Sequence, residues 1–225
     1  MAIRSAREKL GRVFFQRCFW LFMMLMVLIA VVPFVPLTAS GRLLIGGINM
    51  FLVVATVATV GRTFLSFVIV LLLAIPAVAF HYLGIVSGDP EPLAMAWGFA
   101  AALYAATVTY LLRYVFQPDV MTADKLYGAA AAYLMLGVLW AYVYSIIDYV
   151  YPGSFSISGQ PAPLPPIDSL YFSFTVLTST GFGDIVPLAR QARAICVVEQ
   201  LTGALFLAIL IARLAGVYPP PRARR

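Results

Sequence analysis

Seven consecutive residues, Thr178-Ser179-Thr180-Gly181-Phe182-Gly183-Asp184, hold the most distinctive chemistry in this chain. Two glycines flank one aromatic directly after small hydroxyl residues, which suits neither a helix nor a packed strand. It suits a backbone that must bend its carbonyls to one side. Gly181 and Gly183 can take the φ > 0 values that alternate carbonyls need in order to point the same way. Ser179 or Thr180 can add hydroxyl oxygens to the row. A ring of such loops replaces the hydration shell of a dehydrated cation. Glycine-rich loops also cradle phosphates, so the surroundings decide between the two chemistries.

Those surroundings are almost free of charge. Of 225 residues, 63% are hydrophobic and 11% charged, the composition of a polytopic membrane protein. Irregular backbone at membrane depth is tolerated only inside protein or along a water-filled cavity. An extramembrane glycine turn is the bland alternative, and the flanking helices argue against it. The net charge of +6 sits at span ends and tails, so it speaks for orientation and not for nucleic acid. Cys18 and Cys196 both fall in apolar segments and suggest no disulfide framework.

Six spans must position the loop. A basic lead-in, residues 1–17, reads as an interfacial segment on the cytoplasmic leaflet, followed by a first span from Cys18 to Pro36. A cleaved signal peptide competes there, since Thr38-Ala39-Ser40 is a tolerable cleavage site, but the apolar run exceeds the usual ~7–15 residues. Leu43 to Val60 makes a second span. Arg62 to Phe80 makes a third, with Pro76 inside it and His81 closing it as a solvated end residue rather than a pH sensor. Ser87 to Pro92 is a turn, and the fourth span runs from Leu93 to Phe116. The fifth, Leu126 to Val150, carries Gly128 to Ala132 and Gly137, then Trp140, Tyr142, Tyr144 and Tyr149 as an interfacial aromatic belt. Tyr151 to Pro166 is a Pro/Ser/Gly-rich external turret. Ile167 to Thr178 reads as a short helix capped by Asp168 or Ser169. The sixth span, Arg193 to Val217, ends at Pro219-Pro220-Pro221.

With both termini cytoplasmic, every Lys and Arg except Arg42, Arg190 and Arg193 lies inside, as the positive-inside rule asks. A voltage sensor needs several arginines at three-residue spacing, because one charge supplies only about 2.3 kcal/mol per 100 mV. The fourth span has Arg113 alone, near its inner end, where an anchoring role suffices. No steep voltage gating is expected from it.

The stretch Leu126 to Val217 resembles the two-transmembrane pore unit of the bacterial potassium-channel superfamily. The likeness rests on Tyr144 to Phe155, Tyr171-Phe172-Ser173-Phe174, Leu177 to Pro187 and Ala208 to Leu214. It implies that Ser179, Thr180, Gly181, Phe182 and Gly183 line a selectivity filter, bounded by Thr178 and Asp184. K⁺ would sit on the carbonyls of Ser179 to Phe182 and the Ser179 hydroxyl. Ser179 stands where the family usually has threonine, Thr180 where it has valine or isoleucine, and Phe182 where it has tyrosine. A threonine at 180 must find a hydrogen bond or a water. The resemblance further implies that Tyr171 bonds Asp184, and that Thr175 takes a place which is acidic in some members. The short helix would aim its negative C-terminal end at a cavity.

Glu199, an ionisable residue within a span, is a functional hypothesis by default. It would either bond the pore-helix backbone or Thr175 as filter support, or add negative charge near the cavity. Gly203 takes the family's place for an inner-helix hinge, and close packing accounts for a glycine there equally well. Phe172, Phe174 and Phe206 read as packing between pore helix and inner helix.

The expectation is an all-α membrane protein: six transmembrane helices with a re-entrant pore helix and filter loop between the fifth and sixth. Its divisions are the lead-in, a four-helix membrane domain over 18–117, a pore domain over 124–218 and a short cytoplasmic tail over 219–225. One loop supplies one quarter of a filter, so a homotetramer in the cell (inner) membrane is expected. Arg213, Arg222, Arg224 and Arg225 would meet anionic lipid at the cytoplasmic face. No enzymatic constellation is visible and no cofactor is expected, K⁺ being the permeant ion. A nonselective cation channel is the alternative, and a non-conducting membrane sensor or scaffold a weaker one.

Overall fold

The computed structural model describes residues 17–35, 64–118 and 121–217. Residues 1–16 of the lead-in, the last residue of the expected first span, the expected second span, the start of the third, and residue 218 with the tail 219–225 lie outside the described residues. Among those described, five helices are long and apolar enough to cross a membrane: Arg17–Phe34, Val68–Ser87, Pro90–Val115, Ala123–Val150 and Arg190–Gly216. This is a membrane protein.

Helix α1 (Arg17–Val31) buries Cys18, Leu21, Leu25 and Leu28, and Val32 follows. The 3–4–3–4 spacing makes one stripe, which packs on the helix α4 described below. Pro33 then tightens the chain into a single 3₁₀ turn, Val32–Phe34. Helix α2 (Phe64–Ser87) runs seven residues past the expected end at Phe80, so His81 lies inside it and not at its close. The apolar run Tyr82 to Val86 gives the helix no reason to stop before Gly88, whose φ of +75° turns the chain. Helix α3 begins at Pro90, not Leu93, and reaches Val115. A proline at the first helical position lacks an N–H that would go unpaired anyway, so Pro90-Glu91-Pro92 joins the helix and not the turn.

Helix α4 (Ala123–Val150) is the hub. The Thr122 hydroxyl caps it by accepting the Lys125 N–H at 3.3 Å. Asp124 in its first turn accepts the Tyr114 hydroxyl at 2.9 Å and the Cys18 N–H at 3.1 Å, tying α1, α3 and α4 together at one end. Further along, Ala131, Ala132, Met135 and Val138 share one core with α1 and with Tyr104, Val108 and Leu111 of α3. The two stretches expected as separate membrane and pore domains therefore meet in continuous packing.

The expected turret contains a small antiparallel sheet, a departure from a purely helical chain. Strands β1 (Phe155–Ile157) and β2 (Gln160–Pro161) form a hairpin, and β1 also pairs with β3 (Ile185–Pro187), with Ser156 opposite Val186. Ser158 and Gly159 have φ of 51° and 83°, the positive pair that a tight two-residue hairpin needs. Helix α5 (Pro166–Leu177) follows, and helix α6 (Arg190–Val217) closes the fold. Pro165 occupies the N-cap of α5, which has no side-chain cap. Asp168 and Ser169 were expected there, but the proline pair starts the helix earlier and leaves both inside the first turns.

Helices α4 and α5 cross closely at Gly137, where an added methyl carbon would lie 2.6 Å from Cζ of Phe174. Overpacking of this kind costs about 1–3 kcal/mol. Gly137→Ala should therefore lower the thermal unfolding midpoint in detergent. Gly98→Ala, at a helical glycine with open space around it, should leave the midpoint unchanged or raise it.

Candidate ion-conducting loop and its supports

Helix α5 ends inside the protein, so its last four carbonyls need partners from elsewhere. Each has one. Phe174 O accepts the Thr178 N–H at 3.1 Å and the Thr178 hydroxyl at 2.6 Å. Thr175 O accepts two amides, from Thr180 at 2.9 Å and Gly181 at 3.2 Å. Val176 O accepts Ser179 N–H at 2.9 Å, and Leu177 O accepts the Tyr133 hydroxyl of α4 at 3.3 Å. The amides of residues 178–181 are thereby turned back towards the helix.

The same loop alternates in backbone sign. Ser179, Gly181 and Gly183 have φ of 58°, 56° and 82°, with Thr180 and Phe182 on the ordinary side between them. Alternation was expected at the two glycines; its extension to Ser179 was not. All seven residues from Thr178 to Asp184 are exposed in the single chain. The carbonyl oxygens of a loop so held can serve a cation, and the loop is uncovered within the single chain.

The remaining sequence-predicted residues fall around this loop. Thr180 finds the hydrogen bond it needs, its hydroxyl lying 2.8 Å from that of Thr178. Because Thr178 gives its own hydroxyl hydrogen to Phe174 O, Thr180 is the donor of that pair. Phe182 is exposed and lies parallel to Tyr171, with ring centroids 6.3 Å apart. The Tyr171 hydroxyl stands close enough to Asp184 to feel its carboxylate. Asp168 stands near enough to Asp184 to feel its charge; burial first, and then that neighbour, push its carboxyl above the ordinary value. Thr175 is buried, and its hydroxyl bonds Phe172 O at 2.8 Å in its own helix.

Glu199 is fully buried, but its partners are neither Thr175 nor the α5 backbone. Its carboxyl meets the Ser173 hydroxyl at 2.5 Å and the Tyr144 hydroxyl of α4. Helical phase explains the difference. Ser169 and Ser173 lie four residues apart on the face of α5 that meets α4, Ser169 lying 3.2 Å from Ser145. Tyr144 is consequently a buried support and not part of an aromatic belt; of that set, only Tyr149 is exposed. Phe172 packs edge-on against Tyr144 and Phe155, in a cluster that Ala192 of α6 also joins. Phe206 and Phe174 pack on a common cluster with Leu177, and Phe206 lies 5.3 Å from the Tyr133 ring.

Gly203 is set against the carbonyl of Leu177, where an added methyl group would collide with backbone. Close packing accounts for that glycine, and α6 continues as helix through it. Asp148, taken from sequence as an ordinary helix-end charge, accepts the Leu164 N–H at 2.7 Å and pins the returning chain ahead of α5. Arg213 donates to Gln117 O at 2.8 Å, joining the far end of α6 to the segment after α3.

Residues 129–218 match the family model described as Ion channel. That segment is similar to the ion channels which the model describes. The match spans α4 from its second turn onward, the sheet, α5, the loop and α6, in keeping with the resemblance to the potassium-channel superfamily. No curated protein and no solved structure matches the chain.

A left-handed non-glycine residue costs roughly 1–2 kcal/mol. Ser179→Gly should accordingly stabilise the purified protein by about 1 kcal/mol, and Ser179→Thr, β-branched, should destabilise it. Unfolding midpoints in detergent check both.

Proposed function

We propose that the chain is one subunit of a homotetrameric channel that passes K⁺ down its gradient through the loop Ser179 to Gly183. One observation carries the reading. The loop amides are committed to α5 while φ alternates at 179, 181 and 183, which leaves successive oxygens for an ion on the other side. The single chain contributes one such loop, and a closed ring of four supplies the remaining ligands.

The surface of α6 supports the same assembly. Among its described residues only Ala192, Glu199 and Gly203 are buried, whereas Val197, Leu201, Leu205, Ile209 and Ile211 are exposed. Neighbouring subunits, lipid and a central cavity together account for so much uncovered apolar surface. In this reading α4 is the outer helix, α5 the pore helix and α6 the inner helix, with both termini cytoplasmic in the cell (inner) membrane. The exposed Arg113 near the end of α3 serves as an anchor, and opening is not steeply voltage dependent. Arg213 and the basic tail meet anionic lipid.

A nonselective cation channel is the second reading, favoured by Phe182. Its ring has no hydroxyl with which to tie the filter to its surround, and it is exposed.

In planar bilayers with K⁺ on one side and Na⁺ on the other, the reversal potential should lie near the K⁺ equilibrium value. Gly181→Asp should abolish the current. Reversal near zero would select the nonselective channel, and no current under voltage, acid or tension would overturn both.

The outer mouth should also respond to acid. A raised carboxyl value means that Asp168 loses its negative charge at a pH above the usual aspartate range. Lowering external pH towards that range should reduce K⁺ current. Asp168→Asn should carry the reduced current at neutral pH and a flatter acid response, read in the same bilayers.

A further inference from the structure

Three hydrogen-bonding contacts meet at the back of the loop, and their hydrogens can be counted. The Tyr144 hydroxyl reaches Glu199 Oε2. The Ser173 hydroxyl lies 2.5 Å from Glu199 Oε1 and 2.7 Å from the Gly137 carbonyl oxygen. All four residues are buried, so water does not make up a shortfall. A carbonyl oxygen only accepts, and an ionised carboxylate only accepts. Tyr144 and Ser173 each own one hydroxyl hydrogen. With Glu199 ionised, three contacts share two hydrogens, and either Gly137 O or Oε1 faces a bare lone pair at short range. With a proton on Oε1 the count closes: Glu199 donates to Ser173, Ser173 donates to Gly137 O, and Tyr144 donates to Oε2.

We propose that Glu199 is held as a neutral carboxylic acid, a positioning residue whose proton completes a relay joining α6, α5 and α4 behind the loop. Its removal by base opens that joint. The titratable groups around it bring an anion no positive charge, only the two hydroxyls already counted. From α4 it faces Tyr144 and Tyr133, and from its own helix Cys196. Helix α5 offers Ser173, while Asp168 and Tyr171 of that helix turn to Asp184. Strand β3, which also packs on α6, has no titratable side chain. When hydroxide takes the proton, Ser173 can serve Glu199 or Gly137 but not both. One contact between α5 and its neighbours is then lost. Leu177 O and Gly203 lie one turn further along the same seam, so the loosening reaches the end of α5 that carries the loop. The consequence for conduction rests on the channel reading above; the protonation state does not.

Glu199 is one of three glutamates, with Glu8 and Glu91. In a Glu8→Gln/Glu91→Gln background, carboxyl-¹³C-glutamate labels it alone without touching the relay. Infrared spectra of that protein in lipid should show a protonated carboxyl C=O band at neutral pH. Raising the pH should convert it to a carboxylate band, with a parallel fall in the unfolding midpoint. Glu199→Gln keeps an acceptor oxygen and a donor in the same shape, with one further amide hydrogen. It should retain the neutral-pH midpoint and lose the alkaline fall, and K⁺ flux from liposomes should follow the same pattern. A carboxylate band at neutral pH overturns the proposal. So does an alkaline fall that persists in Glu199→Gln, which would assign it to Tyr133, Tyr144 or Cys196. A protonated band without any K⁺ flux would leave the relay standing and remove the channel reading.

Discussion

The structure around the loop depends on one requirement: a three-turn helix that ends inside protein must find partners for its final carbonyls. Residues 178–181 meet most of it by bending back, and Tyr133 meets the rest. Once the amides of that segment are committed, its oxygens have no intrachain use. Left-handed backbone at alternate positions is the geometric consequence. Gly181 and Gly183 accept it freely, whereas Ser179 accepts it at a cost. The candidate functional surface is thus what remains when the helix end has been satisfied.

Satisfying that end also brings neighbours to backbone distance. Gly203 of α6 faces the Leu177 carbonyl, and Gly137 of α4 faces the Phe174 ring. Larger residues would hold the helices apart and break the contacts that Glu199, Ser173 and Tyr144 make across the gap. Small residues and buried polar residues therefore occur together, because the first permit the short distances that the second require. The C-terminal exit of the loop is fixed separately. Asp184 O accepts the Ser158 N–H at 2.8 Å, and β3 immediately continues into the sheet with β1.

Much of this was legible from sequence. Alternating glycines after hydroxyl residues announced the loop, and apolar runs announced the spans. The nearness of Tyr171 to Asp184 was suggested by the family resemblance. What escaped has physical causes. Ser173 was hidden because a serine in an apolar helix carries no directional signal until its phase against α4 is known. Its spacing of four from Ser169 was the available clue. Tyr144 was placed at the interface because its neighbour Tyr149 belongs there, yet the five-residue separation puts the two on different faces of one helix. The start of α5 moved because Pro166 takes the first helical position, which no cap preference reveals. The three short strands were missed because Phe155 to Ile157 and Ile185 to Pro187 pair across an entire helix and loop.

The contrast between α4 and α6 follows from what each must touch. Helix α4 meets α1, α3, α5 and α6, and accordingly carries Gly128, Ala129, Ala131, Ala132 and Gly137 where other helices approach. Gly128 lets Cys18 of α1 and Val115 of α3 come close to it, at 3.4 Å from where a side chain would begin. Helix α6 meets its own chain along one narrow seam and carries branched apolar residues on the rest of its circumference. A helix of that composition has its burial completed by surfaces outside the chain, in lipid or in other copies. The seam it does share with the chain is polar at Glu199, bare at Gly203 and apolar at Ala192, which joins the cluster around Phe172. Position along α6 is therefore set by hydrogen bonds and close backbone approach together with apolar contact, while the branched residues on its other faces stay uncovered within the chain.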